Sequence, residues 1–113
     1  MKRVDLPGLV DHARQSLAAT QVAGTFGWML AFELDSHRMS VEQLVEALLP
    51  VIAFVPSLGD VCTTLSHPAS TSHRSLNSTQ LAALGISSAT VRVSAGIEPT
   101  GWLVDRFRTV LRK

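Results

Sequence analysis

The chain has 113 residues, 46% of them hydrophobic, with ten basic and nine acidic side chains and a formal charge of +1. That is enough to bury one modest core and too little for a second domain, and so even a charge balance gives no electrostatic ground for a nucleic-acid or anionic-membrane partner. Cys62 is the single cysteine, so no intrachain disulfide can form and a reducing, cytoplasmic setting is expected; Lys2 and Arg3 precede no long apolar run, which argues against a secretory signal or a membrane span.

Pro7-Gly8 reads as an opening turn, and Asp11 to Ala19 as a short, weakly amphipathic helix capped by Asp11. After the breaker Gly24-Thr25-Phe26-Gly27, the run Trp28-Met29-Leu30-Ala31-Phe32-Glu33-Leu34 has the length and composition of a strand buried on both faces. Ser40-Val41-Glu42-Gln43 has the form of a capping box. Val41, Leu44, Val45, Leu48 and Leu49 then make one apolar stripe, and Pro50 stops the helix because its ring cannot continue the ladder. Val51 to Val55 is a β-branched run leading into Pro56-Ser57. Between Val61 and Leu76 the density of Ser, Thr and His predicts an extended, irregular connection whose hydroxyls satisfy its own backbone.

Asn77-Ser78-Thr79-Gln80 offers a second capping box, with a turn or two of helix to Leu84 and Gly85 as the stop. Thr90 to Ser94 is the next strand. Thr100 is expected to cap a last helix whose Leu103, Phe107, Val110 and Leu111 face the core. Arg106, Arg108, Arg112 and Lys113 cluster in its last turns, where cations oppose the negative end of the dipole. Helices alternating with two to four strands make a small α/β (α+β) domain, residues 1–113, with a short mixed or antiparallel sheet and helices packed on it.

Arg92 stands in Val91-Arg92-Val93-Ser94-Ala95-Gly96-Ile97-Glu98, where a strand meets a turn. A guanidinium there can grip a carboxylate through two parallel charge-assisted hydrogen bonds. From periodicity alone, a lone strand arginine is more often a snorkelling edge residue or a structural pair with Glu98. Ser57-Leu58-Gly59-Asp60-Val61 puts a hydroxyl two residues before a glycine that permits a sharp turn, and the ordinary alternative is a turn serine. No elbow motif surrounds Ser57 and no histidine is placed as its base, so a serine hydrolase is not indicated. His67 and His73 in His67-Pro68-Ala69-Ser70-Thr71-Ser72-His73 match no common zinc spacing, and no metal site is expected. His12 and His37 have no partner in sequence and read as surface residues.

Taken in order and spacing, these three segments resemble the carboxyl-terminal domain of the pyridoxal-phosphate-dependent Cys/Met metabolism family. That family includes cystathionine γ-synthases, cystathionine and methionine γ-lyases and O-acylhomoserine sulfhydrylases. The resemblance runs from about Leu6 onward, includes Pro7-Gly8-Leu9, and corresponds to about the last quarter of such an enzyme. It implies the small carboxyl-terminal domain of fold-type I pyridoxal-phosphate-dependent transferases. It also implies roles: Arg92, in the place of the arginine of V-R-L-S-V-G-I-E, would hold the substrate α-carboxylate, Ser57 and Leu58 would stand beside it in S-L-G-D, and Ser72 would replace the threonine of H-P-A-x-x-T-H at the rim.

Such an enzyme takes its Schiff-base lysine, its pyridinium partner and its phosphate cradle from elsewhere in the assembly. Here the lysines are Lys2 and Lys113, neither in the S-x-T-K pattern, and there is no tyrosine to stack on the cofactor ring. The resemblance therefore implies a domain that neither holds pyridoxal phosphate tightly nor catalyses by itself. Alternatives are a split enzyme completed by a separate lysine-bearing chain, or a non-catalytic scaffold or regulatory domain, either of which could form homo-oligomers. Trp28, Cys62 and Trp102 depart from the family pattern.

Overall fold

The computed structural model describes residues 1–112. Five strands form one mixed sheet: β1 (Arg3–Asp5), β2 (Met29–Glu33), β3 (Ala53–Phe54), β4 (Thr64–Ser66) and β5 (Thr90–Ser94), in the order β1-β2-β5-β4-β3. All neighbours are antiparallel except β3 and β4. The helices are α1 (Gln15–Val22), α2 (Val41–Leu48), α3 (Ser78–Ala83) and α4 (Thr100–Leu111), with a 3-10 turn at Pro68–Ser70. The expected small α/β domain with a mixed sheet is the architecture found, with one strand more than the two to four anticipated.

The sheet sorts its residues by the period of two. Leu30 pairs with Val93, Phe32 with Val91, Leu65 with Val93, Phe54 with Leu65 and Val4 with Phe32, giving one apolar face. Val41, Leu44 and Leu48 of α2 and Val110 of α4 close over it, with Ile52 and Leu34 completing the buried core. Phe107 meets Phe32 edge to face, centroids 6.5 Å apart at 90°, an arrangement that aligns a ring edge with a π face. Beside α4 the cover is incomplete. An apolar groove of about 530 Å³ remains open, lined by Val4, Leu30, Val93, Leu103, Phe107 and Leu111 among others.

Both capping boxes form. The Ser40 hydroxyl accepts the Gln43 N–H at 3.2 Å while the Gln43 carbonyl oxygen accepts the Ser40 N–H at 2.9 Å, and Asn77 and Gln80 exchange the same pair at 2.9 Å. Gly85 ends α3 with φ +71.

Several expectations are corrected. Asp11 caps nothing: Leu6, Leu9 and His12 carbonyls accept from residues three further on, so the chain steps through successive turns and α1 starts only at Gln15 after Arg14. α4 is entered from Pro99, whose carbonyl accepts the Leu103 N–H, while the Thr100 side chain makes no capping bond. The run Trp28 to Leu34 is not buried on both faces; only Phe32 and Leu34 are buried, because Met29, Ala31 and Glu33 lie on the opposite face. The Val51–Val55 strand contracts to Ala53–Phe54. Two strands were unforeseen. β1 is short and charged and exists through pairing with β2, and β4 lies inside the segment expected to be irregular, fully buried by pairing with β5.

Among the described residues no helix is long and apolar enough to cross a membrane. Leu44, with no exposed surface, should cost about 2–5 kcal/mol on replacement by alanine, since its transfer energy and a residual cavity add. Ser40→Ala should cost about 1 kcal/mol through the lost cap. Urea denaturation of both variants measures the difference, and a Leu44→Ala protein as stable as wild type would contradict the burial of Leu44 in the core.

Candidate carboxylate-binding site

On the face of β5 opposite the core stand Thr90, Arg92 and Ser94. The register places Ala31 of β2 and Ser66 of β4 on either side of Arg92, and Thr64 beside Ser94. Ser66, Thr64, Thr90 and Ser94 are buried, while Arg92 itself is partly exposed. Small neighbours leave a long cation standing clear of the sheet. Its Nη2 donates to the carbonyls of Pro56 and Ser57, each at 3.4 Å. Among the described residues no carboxylate lies within ion-pairing distance of Arg92.

The alternative pairing with Glu98 is excluded by where that carboxylate goes. Glu98 accepts the Thr63 N–H at 2.6 Å and the Thr63 hydroxyl at 2.7 Å. The Thr63 oxygen in turn accepts the Gly96 N–H at 2.9 Å, and the Ile97 N–H reaches the Val61 carbonyl at 2.9 Å. Glu98 is held below the ordinary glutamate range first by the Thr63 amide, with burial opposing and the Thr63 hydroxyl assisting. Gly96 has to be glycine: a Cβ there would meet the Val61 carbonyl oxygen and come within 2.6 Å of the Cys62 carbonyl carbon.

The loop between β3 and β4 is thereby tied to β5. Ser94 Oγ accepts the Gly59 N–H at 2.9 Å, and Thr64 Oγ1 donates to the Ser57 carbonyl at 3.2 Å. Gly59 sits at φ +75, which lets the chain turn there without strain. Asp60 accepts the Cys62 N–H at 3.3 Å, and Cys62 is exposed and free. So Arg92 and Ser57 are brought together, Ser57 through its carbonyl, with its side chain exposed and unbonded among the described residues. Leu58 is 60% exposed and points outward.

Ser72 is not joined to this pair. It is exposed, and its hydroxyl bonds the neighbouring His73 Nδ1 at 2.8 Å. His67 is a staple: Nε2 donates to the Ser88 carbonyl at 2.9 Å and Nδ1 accepts from Ser70 Oγ at 2.8 Å, so both ring nitrogens are occupied. Among the described residues no three His, Cys, Asp or Glu side chains gather as metal ligands. His12, expected to lack a partner, bonds Asp5 Oδ1 at 2.9 Å and accepts the Arg14 N–H. Trp28 is 60% exposed, and Trp102 carries the Arg106 guanidinium 5.3 Å above its ring. Thr63, Ser94 and Glu98 were missed as parts of the site. Ser94 and Glu98 lay inside the motif around Arg92, but nothing in sequence shows which distant amide a short polar side chain will reach.

Comparison with known proteins places the chain in a family. The family model of the Cys/Met metabolism PLP-dependent enzymes matches residues 1–112. A cystathionine β-lyase of Bacillus subtilis is 38% identical over 100% of this chain and 28% of its own length. An O-succinylhomoserine sulfhydrylase of Pseudomonas aeruginosa is 34% identical over 87% of this chain and 24% of its own. Among solved structures, a cystathionine γ-synthase of Xanthomonas oryzae in complex with aminoacrylate and cysteine superposes with TM-score 0.83 at 34% identity, covering 98% of this chain and 28% of that one. The chain belongs to the Cys/Met metabolism PLP-dependent enzyme family, and it spans about a quarter of the length of these relatives.

The residues around Arg92 do not by themselves fit pyridoxal phosphate. The cofactor requires a lysine for its Schiff base, and the described lysine, Lys2, is exposed just before the edge strand β1, with β2 between it and β5. At the starts of α2 and α3 the N-cap amide and the amide of the third helical residue are taken by the capping boxes.

Because the Glu98 carboxyl is held low in the folded chain, its contribution to stability is complete above the ordinary glutamate value of about 4.3. It is lost as pH falls from there through the lowered value. Thermal unfolding between pH 3 and 6, with Glu98→Gln as reference, should show that acid-sensitive component in the wild type alone. Gly96→Ala should destabilise by about 1–3 kcal/mol through the forced backbone contact, readable in the same experiment.

Proposed function

We propose that this chain is the carboxyl-terminal, substrate-carboxylate-binding domain of a PLP-dependent Cys/Met metabolism enzyme of the C–S lyase or γ-replacement and sulfhydrylase type, inactive by itself. The observation that carries the reading is the Arg92 guanidinium. It is held at Nη2 by two backbone carbonyls and has no acidic partner among the described residues. Carbonyls orient the cation without neutralising it, and Nη1 and Nε remain for the two oxygens of an α-carboxylate. The exposed Ser57 hydroxyl lies beside this position. Leu58 and Ser72, both exposed, are wall and rim residues in this reading.

The lysine and the phosphate cradle come from the remaining three quarters of such an enzyme, which also supply the electron sink on pyridoxal phosphate; this chain binds and orients the amino-acid carboxylate. The setting is the cytoplasm, where the amino-acid substrates and the reduced Cys62 are at home. The uncovered apolar groove beside α4 favours a second reading, in which a separate lysine-bearing chain docks there and completes a split enzyme.

The direct test replaces the matching quarter of the Bacillus subtilis cystathionine β-lyase with this chain. The chimera should cleave cystathionine, and Arg92→Ala should lower kcat/KM by about 2–5 kcal/mol, roughly 30-fold to several thousand-fold, as for one partner removed from a hydrogen-bonded charge pair. Arg92→Lys should recover only part, because an ammonium cannot present the planar fork. The 113-residue chain mixed with pyridoxal phosphate should show neither a protein-bound chromophore nor turnover. An active chimera indifferent to Arg92→Ala would refute the carboxylate role, and turnover by the chain alone would refute its dependence on a larger assembly.

A further inference from the structure

We infer that Glu98 and Thr63 form a positioning clamp that fixes the Pro56–Gly59 loop and, through its two carbonyls, the direction of the Arg92 guanidinium. The inference rests on the carboxylate-binding reading only for its functional consequence; the clamp itself is judged without a ligand.

The middle of the loop has little packing to hold it. Residues Val55 to Cys62 are all exposed, so apolar burial contributes little and the conformation depends on hydrogen bonds. Backbone bonds tie its ends, Val55 N–H to the Leu65 carbonyl and the Val61 carbonyl to Ile97 N–H, each at 2.9 Å, and its side-chain bonds to the sheet converge on two anchors. One is Ser94, which takes the Gly59 amide at 2.9 Å. The other is Thr63, 1% exposed, which uses every polar group of its side chain and its amide. Its N–H and O–H both donate to Glu98, at 2.6 and 2.7 Å, and its oxygen accepts from Gly96 at 2.9 Å. From Thr63 the constraint passes along the backbone to Thr64, whose hydroxyl holds the Ser57 carbonyl at 3.2 Å. That carbonyl and its Pro56 neighbour are the two groups facing Arg92.

The chemistry selects a carboxylate at residue 98. Two donors point at it and none of its partners accepts from it, so an acceptor-only group is required. Glutamine keeps one oxygen for the Thr63 amide, but its NH2 can meet the Thr63 hydroxyl only by donating to it, which turns that hydroxyl proton away and replaces a charge-assisted bond by a neutral one. Aspartate is one methylene short of both contacts. Threonine is selected at residue 63 because its hydroxyl donates and accepts at once, and serine should reproduce this where valine, of the same shape, cannot.

The test is NMR hydrogen exchange on the 113-residue chain, with the Arg92 Nε–H resonance as a separate reporter and acetate as the carboxylate probe. Thr63→Val and Glu98→Gln should lower amide protection at Gly59, Gly96 and Ile97 roughly tenfold or more, as expected for a lost hydrogen bond to a charged group. They should broaden or shift the Arg92 Nε–H signal and weaken its response to acetate. Amides of the α2 core turn should keep their protection, and Thr63→Ser should restore the wild-type pattern. If Thr63→Val does not fold, Glu98→Gln, which keeps the side-chain volume, decides alone. Unchanged Gly59 protection and an unchanged Arg92 signal in a folded Glu98→Gln chain would overturn the clamp. An active chimera indifferent to Arg92→Ala would refute the carboxylate-binding reading and leave the clamp to be judged on the amides.

Discussion

The alternation of side chains along β5 is the constraint on which the rest of this molecule depends. Val91 and Val93 are sealed in the core, while Thr90, Arg92 and Ser94 take the other face. Sliding β5 by one residue would drive Arg92 into the apolar layer beneath α2 and α4 and bring two valines out among Thr64 and Ser66. A charge buried without a partner costs far more than one mismatched pair, so the register is strongly specified. The core therefore acts as the coordinate system for the site. Packing of Val91 against Phe32 and of Val93 against Leu30 and Leu65 decides where the guanidinium leaves the sheet.

On the polar face the work of positioning falls to short hydroxyl side chains. Thr63, Thr64 and Ser94 have few rotatable bonds to immobilise, so ordering them costs little conformational entropy. Each is buried and each is satisfied; among the described residues no buried side-chain nitrogen or oxygen lacks a partner. An exposed loop bonded to buried, fully satisfied hydroxyls gains orientation that its own residues could not supply. Arg92 meets carbonyls rather than a carboxylate. An internal ion pair would fix the guanidinium just as firmly, but it would neutralise its charge, which the carbonyls orient without cancelling.

Much of the architecture was legible from residues alone. α2 and α3 announce themselves through capping boxes, and β5 through a β-branched run ending in serine and glycine, because these signals are local and physical. β4 was hidden because Thr64-Leu65-Ser66 looks like loop sequence and becomes a strand only when β5 pairs with it. β1 is three residues long and carries two charges, so no periodicity could reveal it. At the site, Arg92 and Ser57 could be named from motif resemblance and do lie together. Ser72 could be named equally well, and the structure leaves its hydroxyl on His73 instead. Glu98 was visible but misassigned: opposite charge suggested Arg92, whereas two convergent donors at Thr63, distant in sequence, bind it more completely.

A guanidinium at the surface of an isolated domain binds a carboxylate weakly, since an exposed ion pair in water contributes about 0–1 kcal/mol. Geometry and affinity are thus properties of different bodies. This chain fixes the geometry, through the register of β5 and the bonded loop before β4. Affinity requires water to be excluded around the pair, which lowers the local dielectric and strengthens each charge-assisted bond. On the proposed function, a chain spanning about a quarter of its relatives would offer one wall of such an enclosure, and an open apolar groove lies beside α4. On that same proposal, carboxylate recognition and cofactor chemistry would be divided between polypeptide segments, because the first needs only orientation from its own fold, while its strength would arise when the second closes over it.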